Sequence, residues 1–183
     1  MVLEKLKDIP KNRSLVMITF LAFISYLFMT FVIFAPIEAE LMARTGYGVM
    51  EFELAWTSEN INKIFKAWGQ DGKNKQLYVT YVDFLYIPSY GFFMAGCILL
   101  ISRKLEGKSQ EIGFYMTLTP FIAGIFDVIE NINLILMLTD DRYVWSLSPF
   151  FASLCATIKF GLLILAILFF LISLIILSIQ KIK

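Results

Sequence analysis

Four ionisable residues, Asp83, Asp127, Glu130 and Lys159, interrupt long apolar stretches of this chain. A charged side chain is costly in hydrocarbon and usually faces protein or trapped water, so these positions come first in a search for chemistry. Carboxylates in a desolvated place can exchange protons, hold a cation, or lock helices together through an ammonium. On a helix, Asp127, Glu130 and Asn131 span about 100° of arc, with Ala123 and Gly124 one turn away on the same side. Ala152, Cys155, Ala156 and Lys159 form a stripe of small residues ending in the ammonium, a pattern that lets a neighbouring helix approach closely. Thr80, Asp83, Tyr86 and Tyr90 make a third, polar-aromatic stripe. The residues expected to line a binding site are therefore Asp83, Tyr86, Tyr90, Asp127, Glu130, Asn131 and Lys159.

Three carboxylates against one ammonium leave two uncompensated negative charges if all ionise. A protonated carboxyl, tyrosine hydrogen bonds, Arg44 or a bound cation would each relieve that excess. Four readings follow. Lys159 with Asp127 or Glu130 is an interhelical lock, or the group receives a lipid headgroup or an amphipathic small molecule. A cation site is weakened because Lys159 competes with the metal, and an ion pathway because the charges form one layer. The chain has no His, which removes the commonest general base and metal ligand. It also lacks a Gly-rich phosphate loop, a Cys pair at ligand spacing and a Ser with an identifiable base. No metal and no cofactor is expected. The leading expectation is a lipid- or amphiphile-binding or structural membrane protein. The alternatives are a lipid-modifying or isomerising enzyme with a carboxyl acid/base, and a small transporter or a subunit of a larger membrane complex.

The elements that position these residues follow from composition. Of the 183 residues, 58% are hydrophobic, more than the roughly 45–50% apolar share of soluble domains. Apolar stretches run over Leu15–Pro36, Leu77–Ile101, Ile112–Leu138 and Leu147–Ile179. Each reaches the roughly 20 residues that cross about 30 Å of hydrocarbon as a helix. Backbone groups in lipid must pair internally and no period-2 barrel pattern is present, so the fold class is an all-α membrane protein. The expected architecture is a four-transmembrane-helix bundle in a single domain, 1–183, with helices at about 14–36, 77–102, 112–138 and 147–180. The first stretch follows Lys5, Lys7, Lys11 and Arg13 but has no small-residue cleavage site near Pro36, so it reads as a retained helix. Kinks are expected at Pro88 and Pro120. Cys97 and Cys155 are expected near opposite ends of their helices and therefore unbridged.

Counting from basic or acidic anchors at the helix ends puts the four intramembrane charges at similar heights, about 24–33 Å up, at one boundary of the hydrocarbon. The N-terminus, the 102–111 loop and the C-terminal tail hold nine Lys/Arg and four Asp/Glu, against six and eight in 37–76 plus 139–146. The positive-inside rule then puts both termini in the cytoplasm and the 37–76 loop outside. Within that loop Ser58 can cap a short amphipathic helix to Trp68, with Gly69 as its stop and Ile61, Ile64, Phe65 and Trp68 on one face. The preceding Phe52-Glu53-Leu54-Ala55-Trp56 alternates weakly and reads as extended. The loop is thus expected to roof an acid-rich pocket. Membrane lipids are the expected partners. A net charge of +1 gives no nucleic-acid footprint, and a homo-oligomer or a larger membrane complex stays open.

The run Gly48-Val49-Met50-Glu51-Phe52-Glu53-Leu54-Ala55, then Thr57 and a helix ending Ala67-Trp68-Gly69, resembles the loop of a prokaryotic family of four-helix integral membrane proteins to which no activity is attached. Asp83-Phe84-Leu85-Tyr86 with Tyr90-Gly91 shares that resemblance, as do Ala123 to Asn131 and Ala152-Ser153 with Lys159. It covers roughly residues 45–165, and Asp127-x-x-Glu130-Asn131 is its most specific part. It implies the architecture and the choice of residues, not a reaction. A looser likeness links the chain to emopamil-binding and sigma-2-receptor proteins, which also carry acidic residues in a small helical bundle. The His-bearing sterol isomerase pattern is missing here.

Overall fold

A computed structural model describes residues 3–180. The basic residues Lys181 and Lys183, used above in reading orientation, lie outside the described residues. Among those residues the chain is all-helical, without a strand. Four helices are long and apolar enough to cross a membrane: α1 (Asn12–Thr45), α3 (Ser58–Ser102), α4 (Gly107–Thr139) and α5 (Ser148–Gln180). A short helix, α2 (Val49–Glu53), lies between α1 and α3 in sequence, and a 3-10 turn, Asp141–Trp145, precedes α5.

The boundaries differ from the expected ones for local reasons. Pro36 was the expected end of the first helix, yet α1 continues to Thr45. A π-helical segment, Met29–Phe34, precedes the proline, and the Ala35 N–H reaches back to the Thr30 carbonyl. The wider turn re-registers the ladder where proline offers no donor. The helix stops at Gly46, which has φ 74°. Residues 37–76 hold the end of α1, the short α2 and the first turns of α3 up to and beyond Gly69. Phe52 and Glu53 are helical, not extended, because Gly48 opens α2 and Glu51 accepts the Gly48 N–H.

Along α3 the backbone leaves helical torsions at Gly69 (φ 60°, ψ −168°) and stays helical through Pro88. That torsion pair is essentially restricted to glycine. Near Pro120 the helical run of α4 is interrupted at Thr117–Leu118, and Pro120 is the second residue of the following segment, Thr119–Thr139. Proline suits a first turn, where its missing N–H has no intrahelical acceptor. Cys97 and Cys155 are both free.

The chain forms two compact units, each built from parts of all four long helices. The first comprises Met1–Tyr26, Pro88–Gly124 and Phe160–Lys183. It is held by apolar packing of Leu15, Leu99 and Phe114 and by neutral polar contacts. Ser25 and Ser89 share a 2.8 Å hydrogen bond, and α1 comes so close to α3 that a Cβ at Gly96 would strike Thr19. Arg103 ties the chain start down, donating to the Leu6 carbonyl at 2.8 Å and to Asn12 at 2.6 Å. The second unit comprises Leu27–Ile87 and Ile125–Lys159. Its core gathers Leu41, Phe52, Ile61, Phe65, Trp68 and Met137. Phe52 packs with its ring tilted against Phe65 and meets Trp68 edge-on, at 5.5 and 5.2 Å between centroids.

Candidate functional site: a buried acid-rich centre

The second unit contains the expected charges. On α4, Asp127, Glu130 and Asn131 occur at i, i+3 and i+4, so one helix face presents all three. On α5, Ala152, Cys155 and Ala156 are buried in the two turns before Lys159, leaving that face slim enough for close packing. The Lys159 Nζ lies 3.1 Å from Asp127 Oδ1 and 2.8 Å from Glu130 Oε2. Asp83 joins indirectly: the Asn131 amide donates to its Oδ2 at 2.7 Å.

A fourth carboxylate completes the group. Glu53, at the end of α2, lies 3.4 Å from Lys159 Nζ. Sequence reasoning missed it by reading its segment as extended. The available signal was Gly48 followed three residues later by Glu51, a helix-start pattern that would have turned Glu53 away from a strand geometry. The turn after α2 is fixed by Ser153 on α5. Its hydroxyl donates to the Glu53 carbonyl at 2.8 Å and accepts from the Trp56 N–H at 2.9 Å. Trp56 sits at φ 61°, a left-handed backbone unusual for a bulky side chain, and that tether holds it there.

The centre is dry. Glu130 is 0% exposed and Lys159 5%, with Asp127 and Asn131 equally enclosed and Asp83 half-buried. Burial pushes the Glu53 carboxyl above its ordinary range. The Lys159 ammonium opposes that shift and the neighbouring Asp127 adds to it. Counted as ionised, four carboxylates face one ammonium, an excess of three negative charges. Glu130 Oε2 meets Lys159 as an ion pair, whereas Glu130 Oε1 has no hydrogen-bond partner among the described residues. An unpartnered buried oxygen costs free energy, so it marks where another donor would be received.

The remaining residues named from the sequence have these surroundings. The Tyr86 hydroxyl is 3.0 Å from the Thr30 hydroxyl of α1, and its ring packs on Phe34. Tyr90 is buried in the first unit. Arg44, one expected source of counter-charge, pairs with Glu40 and Asp71 at an exposed position, both at 2.9 Å. Among the described residues no group of three or more His, Cys, Asp or Glu is arranged to hold a metal ion.

Comparison with protein-family models, curated proteins and solved structures finds no match to this chain.

Proposed function

We propose that this multi-pass membrane protein receives the polar group of a membrane amphiphile at the acid-rich centre formed by Asp83, Asp127, Glu130 and Asn131. Lys159 fixes the helices that carry them. The observation behind this reading is the fully buried Glu130 Oε1, which has no hydrogen-bond partner among the described residues and sits among carboxyl groups that outnumber the one ammonium. A ligand that offers a hydrogen-bond donor supplies that partner. The same reading takes both termini as cytoplasmic and the 58–68 segment as an amphipathic cap over the centre. It also takes the chain as kin to the prokaryotic four-helix family, on the strength of Asp127-x-x-Glu130-Asn131.

Native mass spectrometry of the full chain released from lipid tests the proposal. One amphiphile should stay bound to the parent and be lost from Asp127→Asn, which keeps the side-chain shape and removes the charge. A parent that retains nothing under the mildest release conditions would sink it.

A second reading has its own support. Lys159 is met by carboxylates from α2 and α4, the arrangement of a lock between segments. If the lock is the whole role, Glu130→Gln with Lys159→Met should be tolerated better than either change alone, and no amphiphile should be retained.

A further inference from the structure

Beside the acid-rich centre, α2 has another use. While Glu53 turns to Lys159, Met50, Glu51 and Leu54 line a separate hollow of about 460 Å³ together with Asn60, Lys63 and Ile64. That volume lies within the roughly 300–1,000 Å³ of small-molecule sites. Its walls are of two kinds. Met50, Leu54 and Ile64 supply apolar surface, and two opposite charges face the space with them.

Those charges do not neutralise each other. Lys63 forms no ion pair among the described residues, whereas Lys73 and Lys75 of the same helix pair with Asp141 and with Glu40 and Asp71. Glu51 uses Oε2 to accept the Gly48 N–H at 2.8 Å, which anchors its side chain and leaves Oε1 without a protein donor among the described residues. Asn60 spends its amide N–H on the Ala55 carbonyl at 2.9 Å, which leaves its own oxygen as an acceptor. A free anion entering this hollow would meet Lys63 but be repelled by Glu51, and a free cation would meet the reverse. A molecule with both charges matches both.

We propose that this hollow binds a zwitterion: its anionic group on Lys63, its ammonium on Glu51, and its hydrocarbon linker against Met50, Leu54 and Ile64. The ammonium–phosphate headgroup of a phospholipid and the free, water-soluble headgroup share this chemistry. None of its lining residues belongs to the acid-rich group.

The test uses the full chain in detergent and, in parallel, in nanodiscs. In detergent, calorimetry compares glycerophosphoethanolamine with glycerol 3-phosphate and with ethanolamine, the two halves of its charge pattern. Glu51→Gln keeps the acceptor for the Gly48 N–H and removes only the charge. Lys63→Met keeps a good helix former. Glycerophosphoethanolamine should bind at least about tenfold tighter than either half, and each variant should lose about tenfold at unchanged helical circular dichroism. If the soluble compound does not bind but nanodisc phosphatidylethanolamine stays on the parent and leaves both variants, the lipid is the source and the proposal stands. Equal binding of glycerol 3-phosphate, equal affinity in parent and variants, or no retention in either arm overturns it.

Discussion

Two charge networks in the second unit invite comparison, one around Lys159 and one around Arg44 and Lys75. The exposed network is balanced: Arg44 and Lys75 share Glu40 and Asp71, with contacts of 2.5–3.1 Å. Its side chains are 30–59% exposed, so water and salt can replace any one partner. The Lys159 network sets three carboxyl groups around one ammonium and is buried, with side-chain exposures of 0–13%. Short distances are common to both. What separates them is the alternative open to each charge when a partner leaves, which is water in one case and an apolar interior in the other. Near-ideal geometry therefore says little about strength until burial is known.

This contrast breaks most visibly at Lys159. Lys159→Met leaves Asp127, Glu130 and Glu53 without their cation, and loss of one member of a buried ionic group costs about 3–5 kcal/mol. A strongly lowered midpoint in detergent thermal unfolding is expected, with partial recovery when Glu130→Gln is added. A variant as stable as the parent would mean that the buried network holds nothing together. A smaller effect belongs to Ser153→Ala, which removes both hydrogen bonds to the Glu53–Trp56 turn. About 1–2 kcal/mol is expected, because the Trp56 N–H loses its acceptor. The same unfolding measurement, with hydrogen exchange at Trp56, checks it: unchanged exchange would show that the turn holds itself.

The sequence makes the two networks unequally legible. Asp127, Glu130 and Lys159 stand out because each interrupts an apolar run, and hydrocarbon makes any such interruption expensive. Four long helices follow from the same contrast between water and lipid. Glu53 carries no such signal. Its helix has only five residues and depends on the Gly48 start, on the Glu38 carboxylate that accepts the Val49 N–H, and on Ser153 a hundred residues away. Propensity over a five-residue window cannot report contacts at that range. Pro36 misled for a related reason: proline forbids one ladder bond, but a π turn supplies a different register and the helix goes on. Charge count offers Arg44 only as one possible counter-charge, and its long flexible side chain finds Glu40 and Asp71 instead.

A pH titration sharpens the comparison from the buried side. Glu53 has its pKa raised above its ordinary 4.5, mainly by burial. Between 4.5 and that raised value the folded chain holds a proton that the unfolded chain has released. Stability from this group is therefore complete below the ordinary value and declines as pH rises through the folded one. Glu53→Gln should flatten that part of the profile, read as the unfolding midpoint from about pH 4 to pH 7. A parent profile that rises over this range by an amount Glu53→Gln abolishes would reverse the assignment.

The smallest effect is expected from the exposed network, and it is the control that gives the larger ones meaning. Arg44→Gln removes contacts to Glu40 and Asp71 but leaves Lys75 bridging the same two carboxylates. Water takes the place of the guanidinium, so the unfolding midpoint should move little, and that little should fade as salt is raised past a few tenths molar. A loss comparable to that of Lys159→Met, insensitive to salt, would mean that Arg44 works in a desolvated setting and that exposure is not what divides the two networks.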